Sequence, residues 1–202
     1  MEQIASVERT DKNLIQAHCQ GSPTAFTELV NQYGGIVLGY LIQMCGNREQ
    51  AEDFFQETFK RMHEKAHTFR GMRLKPWLLT IATNIAINDF RKNGRLKVVS
   101  LDQKIDCTNG DCEKSEAVAI LDNSCNPLDE VAKAEQKEQV RQAIGVLPAR
   151  QRATLILAYY QQLSYPEVAV VLSCSVGTVK TQMYRALRTL AQKLPEFGGE
   201  TK

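Results

Sequence analysis

Apolar residues in this chain return at intervals of three and four, and that period constrains the fold more than any other feature. Phe26, Leu29, Val30, Tyr33, Val37 and Tyr40 form one stripe, as an amphipathic helix requires. Ser22-Pro23 before it reads as a helix start, with proline tolerated in the first turn. Gly46-Asn47 ends it. Ala51, Phe54, Phe55, Thr58, Phe59 and Met62 form a second stripe, opposite a polar face of Asp53, Gln56, Glu57 and Lys60. A third helix is expected to start near Pro76, with Trp77, Leu78, Ile81, Ala82, Ile85 and Ala86 on its apolar side. Thr80, Asn84, Asn88 and Arg91 fall on a separate polar stripe. No useful strand-like alternation interrupts this half, so residues 10–95 are expected to form a helical bundle.

Residues 96–133 have a different character. Asp102, Asp106, Asn109-Gly110-Asp111, Asp122-Asn123-Ser124 and Asn126-Pro127 are loop and breaker signals. The expectation is a flexible acidic linker, with a short helical turn around Glu116–Leu121. Helical pattern resumes at Leu128 and runs to about Val146. Leu147-Pro148 breaks it, and Gln151–Gln161 reads as a further helix.

The segment from Ser164 onward is the most specific. Ser164-Tyr165-Pro166-Glu167 is a capping box, and a short helix to Leu172 follows. Ser173-Cys174-Ser175 makes a turn, and Ser175 can cap a second helix from Val176 to about Leu194. Two short helices joined by a few residues form a helix-turn-helix. The second helix carries Thr178, Lys180, Thr181, Gln182, Tyr184, Arg185 and Arg188, with Val179, Met183, Leu187 and Leu190 on its expected buried side. Short polar and cationic side chains near a helix N-terminus suit a duplex major groove, where hydroxyls read base edges and cations neutralise phosphates. An ordinary amphipathic surface helix would share the periodicity but not the cap, turn and basic face together.

Net charge is +2, but it is segregated. Residues 1–59 carry −5, 60–97 carry +8, 98–135 carry −6 and 136–202 carry +5. Two basic blocks separated by an acidic one fit two polyanion-binding surfaces on a tether, or solvated helix faces. In the first basic block, Arg70, Arg73, Lys75, Arg91, Lys92, Arg95 and Lys97 lie among Phe69, Trp77 and Phe90, a mixture suited to single-stranded nucleic acid. Trp77 falls on the apolar stripe and is expected in the core.

Six cysteines stand at 19, 45, 107, 112, 125 and 174. Free thiols are expected, because Cys107-x4-Cys112-x12-Cys125 fits no standard zinc ribbon and no histidine is near. His63 and His67 are four apart on one helix, but no third ligand accompanies them, so they read as surface residues. No metal or cofactor is expected. No GxSxG, P-loop or GxGxxG sequence and no obvious carboxylate pair occurs, so no catalytic residue is assigned and no enzyme is expected. The start lacks signal-peptide regions and no apolar run reaches about 18 residues, which leads to the expectation of a cytoplasmic protein without membrane insertion.

Three ordered segments resemble those of bacterial sigma factors. Ala51-Glu52-Asp53-Phe54-Phe55-Gln56-Glu57-Thr58-Phe59 is similar to their polymerase-docking helix. Trp77-Leu78-Leu79-x-Ile81-Ala82-x-Asn84, with Asp89 and Arg91, resembles their promoter-melting helix. Leu147-Pro148-x-x-Gln151-Arg152, Leu163 to Ala169, Ser175 to Lys180 and Tyr184-Arg185-Ala186-Leu187 resemble the domain that reads the −35 element. The resemblance covers about 10–95 and 136–194, and its two domains with a linker look like the extracytoplasmic-function group.

The resemblance implies an all-α fold of two small helical domains, 10–95 and 134–197, joined by the acidic linker 96–133, the second domain a helix-turn-helix. It implies core RNA polymerase and promoter DNA as partners, with an anti-sigma factor that holds the protein inactive. Asp53, Gln56 and Glu57 would dock on polymerase. Asn84, Asn88 and Arg91 would face the −10 element, whose melted bases lie near the loop of about Thr68–Lys75. Thr178, Lys180, Thr181, Arg185 and Arg188 would lie at the −35 element. Leu74 stands where the family often has Phe, and Ser173 where it usually has Gly. A non-glycine at φ > 0 there would cost roughly 1 kcal/mol. Two alternatives remain open: an autonomous DNA-binding regulator and a module that sequesters polymerase or another sigma factor.

Overall fold

The computed structural model describes the backbone of residues 2–70, 73–99 and 127–194, and the side chains of 11–70, 73–92 and 136–194. All regular elements among the described residues are helical. The first half contains α1 (Glu2–Cys19), α2 (Pro23–Cys45), α3 (Arg48–Lys65), a 3-10 turn (Ala66–Thr68) and α4 (Leu74–Val99). The second contains α5 (Pro127–Gly145), α6 (Ala149–Leu155), a π turn (Ile156–Tyr160), α7 (Tyr165–Val171) and α8 (Val176–Lys193).

In the first half α2 is the central helix, packed against α1, α3 and α4. Tyr40, Leu41 and Met44 of α2, Ala51 and Met62 of α3, and Leu79, Ala82 and Ala86 of α4 are almost wholly excluded from solvent. Each fully buried large side chain contributes about 1.5–3 kcal/mol. Gly46 ends α2 with φ +71°, and its N–H donates to Ile42 O at 2.9 Å. That left-handed cap suits glycine because it has no Cβ. Asn47 then caps α3 by accepting from Gln50 N at 3.3 Å.

Two buried polar pairs fix helix register. Tyr40 Oη and Thr83 Oγ1 share a hydrogen bond of 2.6 Å between α2 and α4. Tyr33 Oη donates to Asp11 Oδ2 at 2.6 Å, and Gln32 Nε2 donates to Asp11 Oδ1 at 3.4 Å, tying α1 to α2. Burial, then the bond to Asp11, pushes the Tyr33 phenol well above its ordinary range. Trp77, expected in the core, is half-buried and meets Phe69 edge-on at 5.3 Å.

The structure differs from the expected element limits in three places. The third expected helix begins at Leu74 rather than Pro76, which leaves Pro76 in the first turn. Helix α4 reaches Val99 and α5 starts at Pro127, so positions 96 and 133 both fall within helices. The helical turn expected at Glu116–Leu121, and Cys107, Cys112 and Cys125, lie outside the described residues. The plain helix expected at Gln151–Gln161 instead widens after Leu155, with Gln161 N donating to Ile156 O at 3.0 Å. The reason is tertiary. The π turn packs on α2 as well as on its own helices, so Leu155, Ile156 and Leu157 are all buried.

The Tyr40–Thr83 bond carries a direct expectation. Tyr40→Phe leaves the Thr83 hydroxyl buried without this partner and should cost about 1–3 kcal/mol in urea unfolding. Tyr184→Phe, on an exposed side chain, should change stability by less than about 0.5 kcal/mol.

Candidate polymerase and nucleic-acid interfaces

Helix α3 turns Ala51, Thr58, Phe59 and Met62 inward. Asp53 and Gln56 are exposed on the other side, and Glu57 is half-exposed. Arg61 Nε donates to Glu57 Oε1 at 2.6 Å, and Arg48 pairs with Glu52 at 2.8 Å. Glu57 therefore shares its carboxylate with a neighbour one turn away, a partner the sequence reading did not assign. The i, i+4 spacing was there to suggest it.

On α4, Asn84, Asn88 and Arg91 are all exposed and lie along one ridge, with Arg91 Nη2 donating to Asn88 Oδ1 at 3.3 Å. Thr80, expected on the same stripe, turns its hydroxyl back to Pro76 O at 2.8 Å. Asp89 accepts from Gln50 Nε2 at 3.1 Å, which anchors α4 to α3.

The helix-turn-helix is formed by α7 and α8. Glu167 Oε2 accepts from Ser164 N at 2.8 Å and Ser164 Oγ at 2.7 Å, so the capping box is present. Ser175 Oγ accepts from Thr178 N at 3.1 Å and caps α8. The turn residue Ser173 has φ +50°, the left-handed conformation that favours glycine. Lys180, Thr181, Arg185 and Arg188 are exposed on α8, and Thr178 is half-buried at its start beside the Ser175 hydroxyl at 2.9 Å.

The expected buried side of α8 needs one correction. Leu187 is 52% exposed, and Ala186 is buried with Val179 and Met183. At about 100° per residue, position 186 returns to within about 20° of Val179, whereas 187 lies about 80° away. Leu187 therefore joins the exposed face with Tyr184.

His18, which the sequence reading did not connect to anything, lies against His63, with Nε2 and Nδ1 3.1 Å apart. Burial, then the neighbouring His63, lowers the His18 pKa. Among the described residues no cluster of three His, Cys, Asp or Glu could hold a metal. Burial raises the Cys45 thiol to about 12, which leaves it a poor nucleophile. No described helix is long and apolar enough to cross a membrane.

A helical bundle with an acidic face on α3, followed by a capped helix-turn-helix with a cationic second helix, fits the class of two-domain helical DNA-binding proteins. Residues 29–96 match the family described as sigma-70 region 2, and 137–190 match sigma-70, region 4. The chain belongs to the sigma-70 family, in its extracytoplasmic-function (ECF) group. It binds core RNA polymerase and directs promoter recognition and transcription initiation.

The relatives span both regions. The chain is 31% identical to the ECF RNA polymerase sigma factor SigW of Bacillus subtilis, over 95% of this chain and all of that one. It is 30% identical to the RNA polymerase sigma-H factor of Pseudomonas aeruginosa, over 93% and 95%. Among solved structures, it is similar to the sigma factor RpoE bound to the anti-sigma factor NepR from Bartonella quintana. That match has 26% identity and a TM-score of 0.62 over 84% of this chain and 96% of that one. CnrH, in complex with the cytosolic domain of CnrY, shares the fold at 20% identity, with a TM-score of 0.62 over 93% and 99% of the two chains.

The Ser173 turn generates a stability prediction. Ser173→Gly removes the left-handed penalty and should stabilise the chain by up to about 1 kcal/mol in thermal or urea unfolding. Ser175→Ala removes the α8 cap and should destabilise by about 0.5–2 kcal/mol.

Proposed function

We propose that three helix faces divide the work of initiation. Asp53, Gln56 and Glu57 on α3 dock core polymerase, where exposed acidic and amide groups suit a basic partner helix. Asn84, Asn88 and Arg91 on α4 face the −10 element, and the loop of about 68–75 lies beside its melted bases. Thr178, Lys180, Thr181, Arg185 and Arg188 on α8 contact the −35 element. The functional domains are 10–95 and 134–197, with 96–133 as the acidic connection. The single observation that carries this reading is that each set stands on the outward side of a helix whose other side is core.

In this reading the protein catalyses no reaction itself and acts in the cytoplasm. An anti-sigma factor holds it inactive. Support for that last partner is the likeness to RpoE, which was solved with its anti-sigma factor NepR.

Size exclusion of the chain with bacterial core RNA polymerase tests the docking face. A one-to-one complex is expected, and the variant Asp53→Lys, Gln56→Ala, Glu57→Lys should fail to form it. A variant that binds polymerase as the wild type does would remove these three residues from the docking face. At the −35 element, Lys180→Ala in the holoenzyme should weaken promoter binding about equally across −35 sequences and reduce the salt slope by about 1. Changes confined to particular −35 bases would instead make Lys180 a base reader.

A further inference from the structure

The two domains are closed on each other, and the closure uses one cation from the loop before α4 and one from its first turn. Arg73 Nη1 donates to Glu167 Oε1 of α7 at 2.7 Å, and Lys75 Nζ donates to the Gln161 carbonyl at 2.8 Å. Two further arginines of the second domain reach the end of α2, with Arg152 Nη1 on Met44 O at 2.6 Å and Arg141 Nη1 on Gly46 O at 3.0 Å. Helix α7 lies along α4, and buried apolar residues of both domains form one contiguous cluster.

We propose that this closure is a self-inhibiting latch, in which Glu167 and the Gln161 carbonyl occupy Arg73 and Lys75 in place of single-stranded DNA. The chemistry is a direct substitution. A carboxylate and a carbonyl oxygen satisfy the donors that phosphate and base oxygens would otherwise take. Glu167 is prepared for the role, because Ser164 holds its other oxygen in the capping box. Although burial pushes the Glu167 carboxyl upward, the bonds from Ser164 and Arg73 hold it below its usual range, so it stays charged. Burial, then Arg73, lowers the Lys75 pKa, as expected for an ammonium enclosed between two domains.

The latch leaves other surfaces open. Asp53, Gln56, Asn84, Asn88, Arg91 and the cationic residues of α8 remain on the outside. Closure therefore need not block the face proposed for polymerase, while it competes with DNA at Arg73 and Lys75. The competition rests on the proposed place of this loop beside the melted −10 bases; the closure itself does not.

The test uses the full chain and three variants. Glu167→Gln retains an oxygen for the Ser164 cap but loses the charge that holds Arg73. Arg141→Gln weakens closure away from the loop. Arg48→Gln breaks an exposed pair within α3 and serves as control. Circular dichroism establishes that each folds, small-angle scattering reads closure, and fluorescence anisotropy reads binding of a labelled oligothymidine of about 12 nucleotides.

The wild type should scatter as a compact particle and expand as salt is raised. Glu167→Gln and Arg141→Gln should each bind the oligothymidine about two- to five-fold more tightly than wild type, as expected for one partly exposed charge contact. Arg48→Gln should match wild type. An extended wild type at low salt overturns the latch. A compact wild type whose two latch variants bind no more tightly, or no binding by any of the proteins, overturns the competition. Polymerase binding on the same samples is a separate readout: its absence would sink the docking assignment while leaving the scattering result in force.

Discussion

The guanidinium of Arg152 is the point on which the arrangement of the two domains turns. One of its nitrogens donates to Met44 O, near the end of α2, and another to Gly145 O and Leu147 O, at the end of α5. Its carbon lies 5.6 Å from the centre of the Phe90 ring on α4. Helix C-termini carry unsatisfied carbonyls and partial negative charge, so a cation between two of them is attracted to both. An arginine can meet several carbonyls at once because its donors spread in a fixed plane, which a lysine cannot reproduce. The apolar contacts between domains, including the π turn against α2, lie around it.

Around this point the domains differ in how they obtain order. The first is a bundle of longer helices whose register is set by buried polar pairs, Tyr40 with Thr83 and Tyr33 with Asp11. A hydroxyl buried between two helices tolerates little sliding, because a lost partner leaves an unsatisfied group. The second domain places two short helices, α6 and α7, beside the longer α5 and α8, and it uses local devices: the Ser164–Glu167 box, the Ser175 cap and the left-handed Ser173. A helix as short as α7 has few internal hydrogen bonds of its own, so its cap contributes a larger share of what holds it.

That difference matters for initiation. The faces of α3 and α4 stand on a bundle whose helix positions are set by packing. The face of α8 stands on a small unit whose orientation toward the first domain is set by a few charged contacts and a shared apolar cluster. In the proposed reading, the cations assigned to DNA and the cations that hold the domains together come from the same two basic blocks.

The sequence by itself determined the helical class, the helix-turn-helix, the caps at Ser164 and Ser175, and the polar ridge Asn84–Asn88–Arg91. These are properties of residues within a turn or two of one another, and period and capping chemistry act at that range. The resemblance singled out Ser173 as a position where a non-glycine would be strained at positive φ, and the structure supplied that φ of +50°. Leu187 was misplaced for a related reason: an apolar residue near the edge of a stripe is ambiguous until the centre of the buried face is known. Only the tertiary structure decided the widened turn at Ile156–Tyr160, the His18–His63 pair, the buried Asp11 and the partners of Arg73, Lys75 and Arg152. Each depends on elements far apart in the chain, and no local period records which carbonyl or carboxylate a long, flexible cation will meet.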